Sequence, residues 1–191
     1  MSVFTPVTDS QAQTFLRDYA LGDLESLEGI ASGVENSNFF LTTTTGEYVL
    51  TLFEKQAPND LPFYLHLMEF LAENDFNCPR PQPRGGKTKV HDGHNLFGTL
   101  NGKPAAIVSK LPGGAVLAPT VDDCHDVGAL LAHMHDIGVD FDMHMENWRG
   151  HEWREFFAIQ VSPKLSDAEN ELIGSENEFQ AAIDDLSLIH I

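Results

Sequence analysis

The residues that most strongly suggest chemistry stand in one short segment, SGVENSNFF, which begins at Ser32. Gly33 has no side chain, and Asn36, Ser37 and Asn38 are small and polar, so backbone N–H groups here can closely approach a ligand. Successive N–H groups in such a loop form a concave site for an anion such as a phosphate group. An ordinary turn has the same composition, and the spacing leaves both interpretations open. The phosphate-binding motif G-x-x-x-x-G-K-[ST] does not occur in the sequence.

Two predicted hairpins would position this segment. β-branched and aromatic residues fill residues 38–44 and 47–53, and Thr45-Gly46 between them is a turn signal. Residues 96–100 and 104–110 form the second hairpin, joined by Asn101-Gly102, which is the strongest short turn signal. The segment SGVENSNFF therefore leads directly into the first strand of a hairpin.

Helices are predicted on either side of these strands. Thr8 with Gln11 fits a capping box for a helix over residues 11–19. Residues 61–74 carry apolar residues at spacings of three and four, which predicts a helix that packs on the first hairpin. The apolar face of this helix consists of Phe63, Leu67, Phe70 and Leu71.

Helical signals dominate after residue 120. Thr120 with Asp123 predicts the start of a helix that ends near Asp136 and presents Cys124, Val127, Leu131 and Met134 on one face. A loop is predicted over residues 141–154, and two more helices begin where a serine precedes a glutamate by three residues. These pairs are Ser166 with Glu169 and Ser175 with Glu178. Strands before residue 110 and helices after it predict an α+β fold.

The composition argues against several classes of partner. The 191 residues include 11 Lys and Arg against 29 Asp and Glu, a net charge of −18, which disfavours nucleic acid and anionic membranes as partners. No apolar run approaches the roughly 18 residues of a membrane span, and the N-terminus does not resemble a signal peptide. Cys78 and Cys124 have no metal-binding or redox spacing. We therefore expect a cytoplasmic protein that binds neither nucleic acid nor membranes.

The histidines do not predict a metal site. His133 and His135 are two residues apart on a predicted helix, so their side chains point in different directions and cannot bind one ion. His125 lies on the same helix. We expect these residues to lie on the helix without a metal.

Several segments carry a family resemblance. They are GVENSNFFLTT, YVLTLFE, LPFYLHLMEFLAE, CPRP, AAIVSKLPG and VGALLAHMH, followed by N-x-R-G-x-x-W at residues 147–153. In this order they resemble the aminoglycoside-phosphotransferase-like kinases, and the first two resemble the homoserine kinase branch of that family. The resemblance extends from residue 1 to about residue 185.

The resemblance implies a protein-kinase-like fold with two lobes. Residues 1–108 would form a nucleotide-binding lobe, residues 109–113 a hinge, and residues 114–185 part of a helical lobe. Residues 32–38 would lie over the phosphates of ATP, and the backbone of Ser109, Lys110 and Leu111 would hydrogen-bond to adenine.

One position departs from the protein-kinase pattern. Thr51 in YVLTLFE occupies the place of the lysine that holds the phosphates in protein kinases, and His66 stands where the helix would supply its glutamate partner. The resemblance still implies that Thr51 lines the nucleotide site. The identity of the cation that neutralises the phosphates is left open, and Lys55 and Lys110 are candidates.

The resemblance also implies that the sequence is a C-terminally truncated fragment. The family takes its catalytic carboxylate and its Mg²⁺ ligands from an H-x-D-x-x-x-x-N loop and a later aspartate, and the sequence contains no such loop. We expect no catalytic residue and no metal ligand in this chain. Residues 186–191, LSLIHI, resemble a translated sequencing-library adapter, and a natural apolar tail is the alternative.

The activity implied for the longer protein is ATP-dependent phosphorylation of the hydroxyl of L-homoserine to O-phospho-L-homoserine, with Mg²⁺, in threonine biosynthesis. Two alternatives stay open. One is a kinase of the same superfamily that acts on choline, an amino sugar or a thio-sugar, and the other is a nucleotide-binding pseudoenzyme. The sequence does not indicate an oligomeric state.

Overall fold

A computed structural model describes residues 3–85, 95–146 and 150–184. Contacts divide the chain into two units, Met1–Ile137 and Gly138–Ile191. The predicted hinge at residues 109–113 lies inside the first unit, so the predicted lobe boundaries stay a prediction. The expected adapter-like tail and residues 147–149 of the N-x-R-G-x-x-W motif lie outside the described residues. Within the described residues, no helix has both the length and the apolar character needed to cross a membrane.

A five-stranded antiparallel sheet forms the centre of the first unit, with the strand order β1-β2-β3-β5-β4. Its strands are β1 (Leu24–Gly29), β2 (Ser37–Thr43), β3 (Gly46–Leu52), β4 (Gly98–Leu100) and β5 (Lys103–Ser109). Both predicted hairpins are confirmed, as β2–β3 and β4–β5. Asn101 and Gly102 have φ values of 50° and 77°, which a two-residue hairpin turn of the primed type requires.

β1 is a strand that the sequence did not predict. Its sequence, LESLEG, has no strict alternation of apolar and polar residues, and four of its six residues are exposed. The strand forms because β2 offers it a free edge, with Leu27 opposite Leu41 and Gly29 opposite Phe39. Strand pairing therefore overrides a weak local pattern.

Side chains of β2, β3 and β5 alternate between two faces of the sheet. The first face is buried against α1 (Asp9–Leu16) and the residues that follow that helix. It carries Phe39, Leu41, Leu50, Leu52, Ala105 and Ile107. The second face carries Asn38, Phe40, Val49, Thr51, Ala106 and Val108.

The capping box of α1 is confirmed, but the helix has different bounds. The Gln11 N–H donates to the Thr8 hydroxyl at 3.3 Å, and the Thr8 N–H donates to Gln11 Oε1 at 2.9 Å. Because Thr8 is the N-cap, the helix begins at Asp9, two residues earlier than predicted, and it ends at Leu16 instead of residue 19.

The second predicted helix is confirmed as α2 (Leu61–Glu73), but only Leu71 of its four predicted apolar-face residues is buried. Leu61, Leu65 and Leu71 are buried, whereas Phe63, Leu67 and Phe70 are only partly buried. Leu61 and Leu65 pack with Ala106 of β5 and with Leu96, so the helix covers part of the second face from the side of the second hairpin.

The third predicted helix is α3 (Val121–Gly138), and its capping box is confirmed. The Asp123 N–H donates to the Thr120 hydroxyl at 3.2 Å, and the Thr120 N–H donates to Asp123 Oδ2 at 2.8 Å. The predicted apolar face of α3 is not buried, because no residue of the helix is buried. Cys124, Val127 and Leu131 are exposed.

The second unit contains α4 (His151–Val161), a 3₁₀ turn (Ser162–Lys164) and α5 (Asp167–Asp184). α4 begins inside the predicted loop over residues 141–154, so the prediction extended the loop too far. Gly150 is its N-cap and makes no side-chain hydrogen bond, which explains why no capping signal marked this helix. The predicted capping pair of Ser166 and Glu169 does cap α5. Ser175 does not start a helix, because it lies inside α5, where its hydroxyl donates to the Leu172 carbonyl.

A polar cluster joins the N-terminal segment to the first face of the sheet. The hydroxyl of Ser37 accepts the N–H groups of Phe4 and Thr5 at 2.8 and 3.0 Å and donates to Glu54 Oε1 at 2.6 Å. Glu54 Oε2 accepts the Thr5 hydroxyl at 3.0 Å and lies 3.2 Å from Lys103 Nζ. We call Thr5, Ser37, Glu54 and Lys103 the Glu54 cluster.

The Glu54 cluster keeps its carboxylate ionised. Burial raises the pKa of the Glu54 carboxyl, but the hydrogen bonds from Ser37, Thr5 and Lys103 outweigh burial and hold that pKa below its usual range. Folding therefore favours the charged form of Glu54.

Glu54→Gln should reduce the free energy of unfolding by about 1–3 kcal/mol at neutral pH, because Lys103 loses its charged partner. The folded pKa lies below the unfolded one, so the contribution of Glu54 is complete above about pH 4.3 and declines as the pH falls through the lower folded value. The difference between parent and variant should shrink on acidification below that value. Urea unfolding at a series of pH values measures it. Glu73→Gln, which removes an exposed ion pair with Arg80, is the control. If the loss of unfolding free energy in Glu54→Gln did not depend on pH, the prediction would be contradicted.

Exposed apolar residues on α3 predict self-association of the purified chain. Val127, Leu130 and Leu131 are 56%, 47% and 47% exposed. Because exposed apolar surface of this kind promotes association, we expect light scattering to show oligomers and the chain to bind a hydrophobic dye. Leu130→Glu with Leu131→Glu should reduce both signals. His125→Glu is the control at a polar position of the same helix, and a monodisperse monomer without dye binding would refute the prediction.

Candidate functional site

The predicted phosphate loop, residues 32–38, connects β1 to β2 and is held at its C-terminal end. The Ile30 N–H donates to the Asn38 carbonyl at 2.8 Å, which closes the base of the loop. Asn38 Oδ1 accepts the Thr51 hydroxyl at 2.8 Å, and Asn36 Oδ1 accepts the Glu54 N–H at 3.4 Å. Neither asparagine NH₂ group donates to another described residue, so both remain as donors toward a ligand.

The other predicted loop residues divide into two kinds. Ser32 is exposed and Gly33 is partly exposed, so their backbone is accessible from solvent. Ser37 is fully buried, and its hydroxyl already donates one hydrogen bond and accepts two. The structure thus places Ser37 behind the loop, where its side chain supports the loop and does not face a ligand.

The adenine-binding residues of the predicted hinge, Ser109, Lys110 and Leu111, begin at the last residue of β5. The Ser109 N–H donates to the Arg80 carbonyl at 2.9 Å, and the Lys110 N–H is directed at the Glu47 carbonyl at 3.4 Å. No hydrogen bond to another described residue holds the Leu111 N–H. Of the three backbone N–H groups, those of Ser109 and Lys110 are thus directed at other described residues.

An apolar surface lies between the loop and the hinge. Phe40 stands opposite Val49, and Val49 stands opposite Val108, so the three side chains are neighbours on the second face. Phe40 is 41% exposed, and the Lys110 ammonium lies 5.1 Å from the centre of its ring. This surface offers an apolar floor for a flat ring.

The register sets the distance between the two ends of the site. Tyr48 pairs with Ser109, and Thr51 pairs with Asn38, so the hinge and the loop are three residues apart along β3. Three residues of a strand span about 10 Å. Asn38, Thr51, Phe40 and the hinge therefore form one extended strip on the second face.

Thr51 stands where protein kinases place the lysine of a Lys–Glu ion pair. Thr51 instead makes a neutral hydrogen bond to Asn38. The Nδ1 atom of His66 lies 3.7 Å from Glu69 Oε2, and Glu69 is only 9% exposed. Glu69 was not among the predicted residues, although its spacing of four and eight residues from Leu65 and Leu61 places it on the buried face of α2.

Lys110 is not suited to neutralise phosphates at the loop. Its ammonium group lies 2.8 Å from Glu47 Oε1 and 5.1 Å from the centre of the Phe40 ring. Both partners place it near the hinge, at the opposite end of β3 from Thr51. Lys55 is exposed in the segment that follows β3 and stays a candidate.

Two further features lie outside this strip. A cavity of about 280 Å³ opens between α1 and β4, and its walls include Thr14, Asp18 and Thr99 but none of the predicted site residues. Within the described ranges, no group of three or more His, Cys, Asp or Glu side chains is arranged to hold a metal ion. The second-face strip is thus the place where the predicted residues come together.

Comparisons with known proteins identify the family to which the chain is similar. Residues 26–189 match the family model described as "APH: Phosphotransferase enzyme family". The chain is 50% identical over 182 residues to a homoserine kinase of Burkholderia vietnamiensis, 49% over 181 residues to that of Burkholderia multivorans and 48% over 182 residues to that of Paraburkholderia phymatum. These alignments cover 95% of this chain and 53%, 52% and 54% of the relatives, so the chain spans about half of their length.

A solved structure shows the same fold. The chain superimposes on a spectinomycin phosphotransferase, crystallised with ADP and spectinomycin, with a TM-score of 0.56 at 15% identity, covering 95% of this chain and 56% of the other. At this identity the likeness concerns the fold, which is the protein-kinase-like fold that the sequence predicted. The family match covers most of the sequence, and the chain belongs to the APH phosphotransferase enzyme family.

Proposed function

We propose that the protein phosphorylates the hydroxyl of L-homoserine with ATP as the donor, and that this chain supplies the nucleotide-binding part. The observation that carries the proposal is the 50% identity to a homoserine kinase over 182 residues. The product would be O-phospho-L-homoserine, an intermediate of threonine biosynthesis. We place the reaction in the cytoplasm, where ATP is available.

The second-face strip fits ATP in shape and chemistry. Adenine is flat and apolar on its faces, which suits the surface of Phe40, Val49 and Val108, and its edge needs backbone groups such as those of Leu111. Ser109 and Lys110 form the rest of the hinge and position Leu111.

The loop would bind the phosphates at the other end of the strip. Backbone N–H groups at Ser32 and Gly33 are accessible, and the NH₂ groups of Asn36 and Asn38 would donate to phosphate oxygens. Thr51 would fix Asn38 in the orientation that presents its NH₂ group. Ser37 would hold the loop from behind.

The remaining parts of the reaction are those that the family resemblance assigns to a longer protein. Phosphoryl transfer needs a carboxylate to orient the attacking hydroxyl and oxygen ligands for Mg²⁺, and the resemblance assigns both to an H-x-D-x-x-x-x-N loop and a later aspartate, a loop that this sequence does not contain. We place these groups in the half of the relatives that the chain does not match. The residues of this chain would bind ATP and orient its terminal phosphate for in-line attack, which is a large part of catalysis in such enzymes.

Asn36→Ala combined with Asn38→Ala should weaken ATP binding by about tenfold or more, because each variant removes a charge-assisted hydrogen bond to phosphate. Adenosine should bind as before, since it has no phosphates. Isothermal titration calorimetry measures both affinities. The matched control is Asn59→Ala with Asn77→Ala, two exposed asparagines outside the strip. Unchanged ATP affinity in the loop variant would refute the assignment of the loop.

Phe40→Ala should weaken ATP and adenosine by similar factors, about tenfold, because both ligands lose the same apolar contact with the base. Tyr64→Ala provides the control, since Tyr64 is an aromatic residue of α2 with similar exposure at 38%. If only ATP binding changed, the base would not lie on Phe40.

The substrate is tested with the protein in the longest form that its gene encodes. We expect ADP release to depend on L-homoserine and to be at least about a hundredfold slower with choline, amino sugars and thio-sugars, since buried polar contacts reject analogues strongly. Steady-state rates on this panel decide the question. Equal or faster turnover of another alcohol would contradict the proposed substrate while leaving ATP binding intact.

A further inference from the structure

Residue 54 contacts the loop 32–38 through two different groups. Its backbone N–H donates to Asn36 Oδ1 at 3.4 Å, and its side-chain Oε1 accepts the Ser37 hydroxyl at 2.6 Å. Asn36 and Ser37 are consecutive, and they precede Asn38, whose NH₂ group we assign to phosphate. The position of Glu54 therefore determines the position of the C-terminal half of the loop.

The Glu54 cluster lies on the side of the sheet opposite to the nucleotide strip. Ser37 alternates with Phe39 and Leu41, which face the buried core, whereas Asn38 faces the other way. Lys103 likewise shares its face with Ala105 and not with Ala106. The cluster thus cannot contact a nucleotide on the second face, and it can act only by supporting the loop.

The support is rigid because Ser37 and Glu54 are each held by several hydrogen bonds. All three hydrogen-bonding capacities of the Ser37 hydroxyl are used, and Glu54 is held by Thr5 and Lys103 as well as by Ser37. Lys103 Nζ also donates to the Glu54 carbonyl at 3.1 Å, which fixes the backbone that reaches Asn36. The side chain of Glu54 is 11% exposed, so water competes little for these contacts.

We propose that Glu54 is a positioning residue, which holds the loop 32–38 in the conformation that binds the phosphates of the nucleotide. This inference rests on the proposed function, because it concerns the same loop. Thr5 and Lys103 extend the support to the N-terminal segment and to the start of β5, so two regions remote in sequence contribute to phosphate binding without contacting the ligand.

The test compares ATP with adenosine in the longest form of the protein that its gene encodes. Glu54→Gln retains the size of the side chain but loses the charge that holds Lys103 and one strong acceptor. We expect the dissociation constant for ATP to rise about tenfold, whereas that for adenosine changes less than about twofold, because the hinge and Phe40 are untouched. Glu73 forms an ion pair of the same 3.2 Å length with Arg80, and Glu73→Gln should change neither dissociation constant.

A double-variant cycle adds a second criterion. Ser37→Ala should also weaken ATP, and Ser37→Ala with Glu54→Gln should weaken it no more than the stronger single variant, because both act through one contact. Additive losses would overturn the proposed route from Glu54 to the loop.

The outcomes separate this inference from the proposed function. If the unsubstituted protein binds ATP and Glu54→Gln binds it equally well, the inference is wrong and the proposed function stands. Equal weakening of ATP and adenosine would show a general structural role and would also overturn the inference. If the unsubstituted protein does not bind ATP, the proposed function fails and the inference fails with it.

Should Glu54→Gln not fold, Thr5→Val, which removes one hydrogen bond to Glu54 Oε2, replaces it under the same criteria.

Discussion

The strand register of β2, β3 and β5 is the constraint on which the rest of the first unit depends. Side chains alternate with a period of two, so one register determines which residues are buried on the first face and which lie on the second. A slip of one residue would move Asn38 and Thr51 into the apolar core and bring Phe39 and Leu50 to the surface. Burial of leucines on the first face thus stabilises the arrangement of polar residues on the other.

The same register explains how a polar loop can be rigid without being part of a strand. Ser37 is the residue at which the loop becomes β2, and it is buried because Phe39 and Leu41 on the same face are buried. A buried hydroxyl must be hydrogen-bonded, and Glu54 and the N-terminal segment satisfy it. The hydrophobic effect fixes the first face, and the polar cluster at its edge transmits that rigidity to the loop.

The sequence patterns predicted which helices and strands form more accurately than they predicted which side chains those elements bury. Both hairpins, the helix at residues 61–73 and three capping boxes depend on local chemistry, such as Asn101-Gly102 and Thr120 with Asp123, and the structure contains them all. β1 could not be predicted because its residues become a strand only when β2 is beside them. Three of the four residues predicted on the buried face of α2 are only partly buried, because spacings of three and four fit more than one face and only the position of β5 selects Leu61 and Leu65. The site residues came from a family resemblance, whereas Glu54 and Lys103 emerged only from the register.

Under the proposed function, the neutral pair of Thr51 and Asn38 would change how phosphate charge is balanced at this end of the sheet. In protein kinases a lysine places a full positive charge at this strand position, whereas here the pair offers only an oriented dipole. A net charge of −18 does not by itself oppose an anionic ligand, because charges beyond about 8 Å are screened at physiological ionic strength. The N–H groups of the loop and the asparagine NH₂ groups are dipoles, and dipoles must be accurately aimed to stabilise a phosphate as strongly as a charge does. A loop that binds phosphate mainly through such dipoles would depend on rigid support more than one that binds through a lysine. In this chain, the buried contacts of Ser37 and Glu54 would supply that support.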